Sequence, residues 1–174
     1  MDLETRLAEL ESRLAELEDE RRIRDLLARY GYYADACLDE EYYALFTDDC
    51  VMDVSSGRPE DPYEVIRWEG QEAMRNFMAV RTAGHGDGFA GRSLHMQGNN
   101  NSIRVDGDSA VANNYSFILH QDGAEIRLVS ASINEWHFRR VDGEWRFSER
   151  KRRMVGAPDT ATVLRASEPS GGDA

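Results

Sequence analysis

Cysteine is almost missing from this chain of 174 residues: only Cys37 and Cys50 occur, with no CxxC pair and no Cys/His ligand spacing. That speaks against a disulfide-stapled scaffold and a finger-type zinc module, and reduced thiols in the cytoplasm are expected. No apolar run approaches the roughly 18 residues of a membrane span. The first twenty residues, MDLETRLAELESRLAELEDE, lack the basic start and apolar centre of a secretory signal, so no export is expected. Bases are outnumbered, 21 against 33 acids for a net charge of −12, and Lys151 is the single lysine. A protein that grips phosphate backbones needs clustered bases to displace counterions. Neither nucleic acid nor membrane is therefore an expected partner. Residues 1–69 hold 20 acids and 8 bases and so carry the whole excess, while the remainder balances at 13 of each.

The length suits one domain with a core of its own. Leu3, Leu7, Leu10, Leu14 and Leu17 recur at alternating steps of four and three, an a/d seam with Glu and Arg between. Two and a half heptads are too short to stand alone in water, so the stripe packs on the domain or on another subunit. Helical spacing then continues through Ile23, Leu26, Leu27 and Tyr30 and predicts helix as far as Phe46, with Thr47-Asp48-Asp49 as the break and CVMDVSSG as the first strand. A loop or hairpin is expected around Pro59 and Pro62, a short helix over 71–80, and a mobile glycine-rich loop in TAGHGDGFAG.

Beyond that loop, long alternating runs are separated by Asp-Gly signals: SLHMQGNNNSIRV, AVANNYSFILHQ, IRLVSASINEWHFRRV and EWRFSERKRRMV. This is how an antiparallel meander reads. Helices first and a meander after them predict an α+β domain, a cone-shaped curved antiparallel sheet wrapped by N-terminal helices, with a pocket at its mouth. The expected divisions are a helical extension over 1–20, the domain over 21–157 and a partly disordered tail over 158–174.

Three of the four histidines fall where chemistry is conceivable. His95 opens one strand, His120 closes the next, and His137 sits in WHFRRV; His85 lies in the glycine-rich loop. By the strand period of two, Ser130, Ser132, Asn134 and Trp136 share a face, as do Ser116, Ile118 and His120. So polar a face fits a pocket wall better than a plain core. No HxH, HExxH or paired carboxylate motif joins the histidines, so no metal is expected. No serine or cysteine stands in a nucleophile elbow.

From about Ile23 to Met154 the chain resembles the SnoaL-like branch of the NTF2-like superfamily and, within it, the scytalone dehydratase group. The resemblance rests on RYGYYADACLDEEYYALFTDDCVMDV, SLHM, HQDG and SINEWHFRRVDGEWRFSERKR. It implies an NTF2-like α+β barrel and a cofactor-free lyase. It places the catalytic acid of the long helix at Asp35, the histidine that acid orients at His95, and a second histidine at His120. Ser132 and Asn134 match a substrate-binding polar pair two residues apart. Tyr30 is similar to a helix tyrosine of bile-acid dehydratases, and Arg150 to an arginine of dehydrochlorinases. Where scytalone dehydratases carry water-holding tyrosines this chain has Ala34 and Val54, which points to a substrate other than scytalone. Relatives are dimers or trimers, and the leucine seam leads to the same expectation here.

The chemistry of these residue types agrees. Dehydration, isomerisation and cyclisation all begin by removing a proton next to an electron-withdrawing group, and imidazole is a natural base for that step. A carboxylate on the other ring nitrogen sets the tautomer and stabilises the imidazolium. His120, Tyr30 or Asn134 then polarises the carbonyl or protonates the leaving hydroxyl. Beside this stand plainer readings: Asp35 solvated on its helix, His95 structural, and Arg150 in a solvated ERKRR strand end. The expected activity is dehydration of a small, apolar, oxygenated polyketide- or steroid-like molecule. An isomerase or cyclase of the same fold is the alternative, or a non-catalytic domain that binds a small ligand.

Overall fold

The structure is a computed structural model that describes residues 2–56, 60, 66–82 and 90–165. Most of the hairpin expected around Pro59 and Pro62, the glycine-rich loop with His85, and the tail beyond 165 lie outside the described residues. In chain order the elements are α1 (Leu3–Asp35), α2 (Asp39–Ala44), β1 (Phe46–Asp53), β2 (Arg67–Glu69), α3 (Gln71–Thr82), β3 (Ser93–Gln97), β4 (Ser102–Asp106), β5 (Ser109–Asp122), β6 (Glu125–Val141), β7 (Glu144–Met154) and α4 (Thr160–Arg165).

Asp2 caps α1 by accepting the Thr5 N–H at 2.8 Å. The helix ends sooner than its periodicity predicts. Cys37 takes φ 56°, in the left-handed region, and the Leu38 N–H folds back to the Tyr33 carbonyl at 2.9 Å. Helical spacing resumes in α2 because Tyr42 and Tyr43 face the same core from a second helix. Thr47-Asp48-Asp49, expected as a breaker, already belongs to β1.

The strands form one curved, unclosed sheet in the order β2-β1-β7-β6-β5-β3, with β4 also paired to β5. The fold class is α+β as the sequence predicts, but the sheet is mixed, because β1 runs parallel to β7. The reason is topological. The chain enters the sheet at β1, crosses by way of α3 to the far edge at β3, and the meander returns until β7 lies beside β1. The Asp-Gly signals hold: Asp142 (φ 52°) and Gly143 (φ 81°) both adopt the left-handed conformation that a two-residue β6–β7 hairpin requires. Register shifts at Ile118/Leu119 and at His137/Phe138 bend the long strands, as bulges do.

α1 lies across the concave face against β3, β4 and β7. The core joins Ile23, Leu26, Leu27 and Tyr30 of α1 to Tyr42, Phe46, Trp136, Phe138 and Phe147. At one end Asp19 of α1 accepts from Arg140 at 2.6 and 3.1 Å and from the Trp145 indole at 3.0 Å. N-terminal to Asp19 the helix leaves the domain, and the leucine seam from Leu3 to Leu17 is exposed along its whole length. Among the described residues, no helix is long and apolar enough to cross a membrane.

Candidate active site

The site begins with a glycine. A Cβ on Gly31 would stand 2.5 Å from the His95 carbonyl oxygen, so α1 can lie this close to β3 only without a side chain there. Glycine inside a helix costs about 0.5–1 kcal/mol relative to alanine, and here it secures the close approach. One turn later, on the same side of the helix, comes Asp35. Its carbonyl is held by the Gly91 N–H at 2.9 Å, just ahead of β3. Its carboxylate accepts the His95 backbone N–H at 2.9 and 3.0 Å and lies 2.6 Å from His95 Nδ1. A carboxylate accepts, so Nδ1 is the donor in this contact, and in the neutral ring Nε2 is then the nitrogen that carries the lone pair. The two side chains are 14% and 15% exposed, neither solvated nor sealed from a small molecule.

Register places the remaining candidates. His95 pairs with Ile118 and Ser93 with His120, so His120 occupies the same face as His95, diagonally across. Such diagonal neighbours are about 7–8 Å apart. Further across, Ser116 opposes Ser132 and Asn114 opposes Asn134, which puts both members of the expected polar pair on this concave face.

Beyond them lies a buried polar network. Tyr30 keeps its ring among Trp136, Tyr42, Phe46 and Phe147, while its hydroxyl accepts from Arg150 Nη1. Arg150 Nε and Nη2 both donate to Asn134 Oδ1, at 3.1 and 2.8 Å. Asn134 Nδ2 donates to Asn114 Oδ1 at 3.1 Å and to Ser116 Oγ at 3.0 Å, and the Trp136 indole donates to Asn114 Oδ1 at 3.0 Å. The guanidinium lies 4.4 Å from the centre of the Trp136 ring and 5.0 Å from that of Tyr30.

The ERKRR run is therefore no solvated strand end. Arg150 is 5% and Arg153 8% exposed, because β7 has covered neighbours on both sides and its side chains alternate between two packed faces. Arg152 shares the concave face with Arg150, bonding Ser132 Oγ and Ser130 Oγ at 2.9 Å each. Sequence reasoning put Ser130 on this face without a role and missed Arg152 and Asn114. The signal was present in the period of two, which carries Arg150 and Arg152 inward together.

Among the described residues, no group of three or more His, Cys, Asp or Glu side chains is arranged to hold a metal ion. A cleft of about 250 Å³ between α1 and the β3–β4 segment is lined by Arg24, Leu27, Ala28, Gln97, Asn99 and Asn101 and does not include the Asp35–His95 pair. Chemically, the concave face offers a base with a fixed tautomer at β3, hydroxyl and amide groups in the middle, and two guanidinium groups on β7.

Residues 15–151 match the family model of the SnoaL-like domain. An NTF2-like protein with a cystatin-like fold from Novosphingobium aromaticivorans is 27% identical, with a TM-score of 0.74 over 91% of this chain and 96% of that one. A protein from Mycobacterium tuberculosis described as of unknown function is 20% identical, with a TM-score of 0.65 over 88% of each chain. A proposed scytalone dehydratase, also from N. aromaticivorans, is 24% identical, with a TM-score of 0.63 over 80% of this chain and 86% of that one. No curated protein matches the chain in sequence.

Proposed function

The chain belongs to the SnoaL-like domain family, and from that premise we propose that it is a cofactor-independent dehydratase, a carbon–oxygen lyase acting in the cytoplasm on a small oxygenated molecule of polyketide or steroid type. The observation that carries this reading is the 2.6 Å contact between His95 Nδ1 and Asp35, which leaves Nε2 as a base on the concave face. Nε2 removes the proton from the carbon next to the substrate carbonyl, and the C–H electron pair moves into an enolate. The Asp35 carboxylate stabilises the imidazolium so formed. His120, on the face of His95, and the Tyr30 hydroxyl, which accepts from Arg150 and keeps its own proton to give, supply donors for the enolate oxygen. Collapse of the enolate expels the hydroxyl from the next carbon, which leaves as water after taking the proton of the His95 imidazolium, directly or with His120 passing it on. The base is thereby restored, and the product is lighter by one water.

General acid–base catalysis of this kind is worth about 10²–10⁴ in rate. A panel of β-hydroxy ketones in D₂O, followed by mass spectrometry and NMR, tests the reading. Wild type should release water from at least one member, and His95→Ala and Asp35→Asn should lower turnover by about 10²–10⁴. Equal turnover in all three proteins removes the dyad from the mechanism. Deuterium incorporation without loss of mass shows proton abstraction ending in isomerisation or cyclisation. Retained binding with no exchange in any protein identifies a binding domain.

A further inference from the structure

Arg140 and Arg153, like Arg150, are largely withdrawn from water, and each of those two meets two carboxylates. Arg140 bonds Asp19 and Asp108; Arg153 bonds Asp53 and Asp159. Arg150, the most buried of the three, meets only an amide oxygen, a phenol and two ring faces. Among the described residues no carboxylate lies within ion-pair distance of it. Neutral acceptors and ring faces offset only part of the desolvation of a buried guanidinium, and an anion beside it would complete the compensation. Arg152 brings a second positive charge to the same face, over the hydroxyls of Ser130 and Ser132.

The geometry relates this positive end to the dyad. Ser130 lies opposite Ile118, and Ile118 lies opposite His95. Two strand spacings, about 10 Å, therefore separate the base from the strand beneath Arg152. That distance spans a single six-membered ring with a substituent. We propose that the substrate of this site is an acid: its carboxylate seats on Arg150 and Arg152 while the reacting carbon lies one ring away at His95. The proposal rests on the dyad being the reacting end, but its test is separable from turnover.

Benzoate and its neutral isostere benzamide are the probes, titrated by calorimetry and ligand-observed NMR. Wild type should hold benzoate at least tenfold more tightly than benzamide. Arg152→Gln should remove most of that preference and leave benzamide unchanged. Asn134→Asp places a carboxylate where Arg150 now finds an amide oxygen and should abolish the preference from within the protein. Arg150→Gln should do the same; should it fail to fold, the other two variants decide. Equal affinity for the two probes in wild type, or a preference that survives both Arg152→Gln and Asn134→Asp, overturns the proposal. Asp35→Asn should leave the preference intact. Turnover that survives Asp35→Asn would remove the dyad from the mechanism without touching the acid-binding end.

The leading part of α1 carries an independent inference. The stripe facing the domain (Ile23, Leu26, Leu27, Tyr30), traced back by sevens, becomes polar at Glu16 and Glu9, Asp19 and Ser12, and Glu20 and Arg13. The leucine seam lies on a different stripe, traced forward to Arg21 and Arg24, and it ends where the domain begins. Its leucines are 54–82% exposed. With Leu7 and Leu14 at a and Leu3, Leu10 and Leu17 at d, the e positions are Glu4, Glu11 and Glu18, and the g positions include Arg6 and Arg13. Among the described residues Arg6, Arg13, Glu11 and Glu18 form no ion pair. In a parallel pair of helices g faces the next e of the partner, so Arg6 meets Glu11 and Arg13 meets Glu18; an antiparallel pair would set Arg against Arg and Glu against Glu. We infer that this segment forms a parallel coiled coil with a second copy of the chain. Continuity with the domain-anchored half supplies the nucleus that so short a helix would otherwise lack.

Oxidation of Leu10→Cys in a Cys37→Ser background should give a disulfide-linked dimer in several-fold excess over Ser12→Cys, which faces outward at f. Adding Glu11→Arg with Glu18→Arg to the Leu10→Cys protein should suppress its cross-linking, and adding Arg6→Glu with Arg13→Glu as well should restore it. Cross-linking no better than at position 12, or indifference to the charge swap, overturns the inference.

Discussion

Arg150 and Arg153 stand three residues apart on β7, both less than a tenth exposed, and their surroundings are opposite in charge. Arg153, on the face turned away from α1, holds Asp53 by two hydrogen bonds of 3.0 and 2.8 Å and Asp159 by one of 2.6 Å. Arg150, on the concave face, holds neutral groups only. Burial pushes the Asp53 carboxyl up, but hydrogen bonds from Arg153 and Ser55 and the Arg153 charge bring it below its ordinary value. Asp19, where α1 leaves the domain, is likewise lowered, chiefly by its hydrogen bond from Arg140, against burial and with help from Trp145. Where a guanidinium only has to be accommodated, the fold supplies fixed carboxylates. Where it is left with neutral partners, its charge remains available to something that comes and goes.

The strongest test of this contrast is to unpair the paired side. Breaking a buried pair strands the surviving charge, and since Asp159 remains, Asp53→Asn should cost about 2–4 kcal/mol, read from urea unfolding. A cost no greater than that of an ordinary surface substitution would erase the distinction between the two arginines.

At the site end, Gly31→Ala drives a methyl group into the His95 carbonyl and should lose about 1–3 kcal/mol by overpacking. Turnover should fall with it, because α1 must retreat and carry Asp35 off His95. An alanine variant with full stability and full activity would show that the close approach does not position the dyad.

Acid sharpens the comparison by sign. Asp53 and Asp19 titrate lower in the folded protein than in the unfolded chain. The stability they add is complete above the unfolded value of about 3.9 and is lost as pH falls through their lowered folded values. Thermal melts below pH 4 should therefore flatten in Asp53→Asn relative to wild type, and Tyr30→Phe should leave the slope unchanged.

The smallest effect should come from Tyr30→Phe, which keeps the ring in its aromatic cage and removes one hydrogen bond to Arg150, about 1 kcal/mol. A loss as large as that of Asp53→Asn would mean that Tyr30 is itself the essential partner of Arg150.

Much of the domain was legible along the chain because its signals are local. The Asp-Gly turns, the alternating runs and the helical leucines each act through neighbours in sequence, and they predict the right elements nearly in place. The end of α1 was not legible, since a single left-handed residue at Cys37 interrupts a spacing that resumes in α2. The parallel pairing of β1 with β7 was hidden because it joins segments about a hundred residues apart.

The sequence alone determined that the chain has few thiols and an acidic leading half, that helices precede a meander, and that Ser132, Asn134 and His120 fall on inward positions. It also placed the e and g charges of the leading helix, since a heptad is a property of spacing. The family resemblance had already paired Asp35 with His95; only the tertiary structure decided how closely they meet and which arginine goes without a carboxylate. Asp35 is one of 20 acids among the first 69 residues. It is singled out by the close packing of Gly31 on β3, which no local pattern encodes. Within ERKRR, two neighbouring positions of like charge receive opposite partners because alternate residues of a strand face different layers.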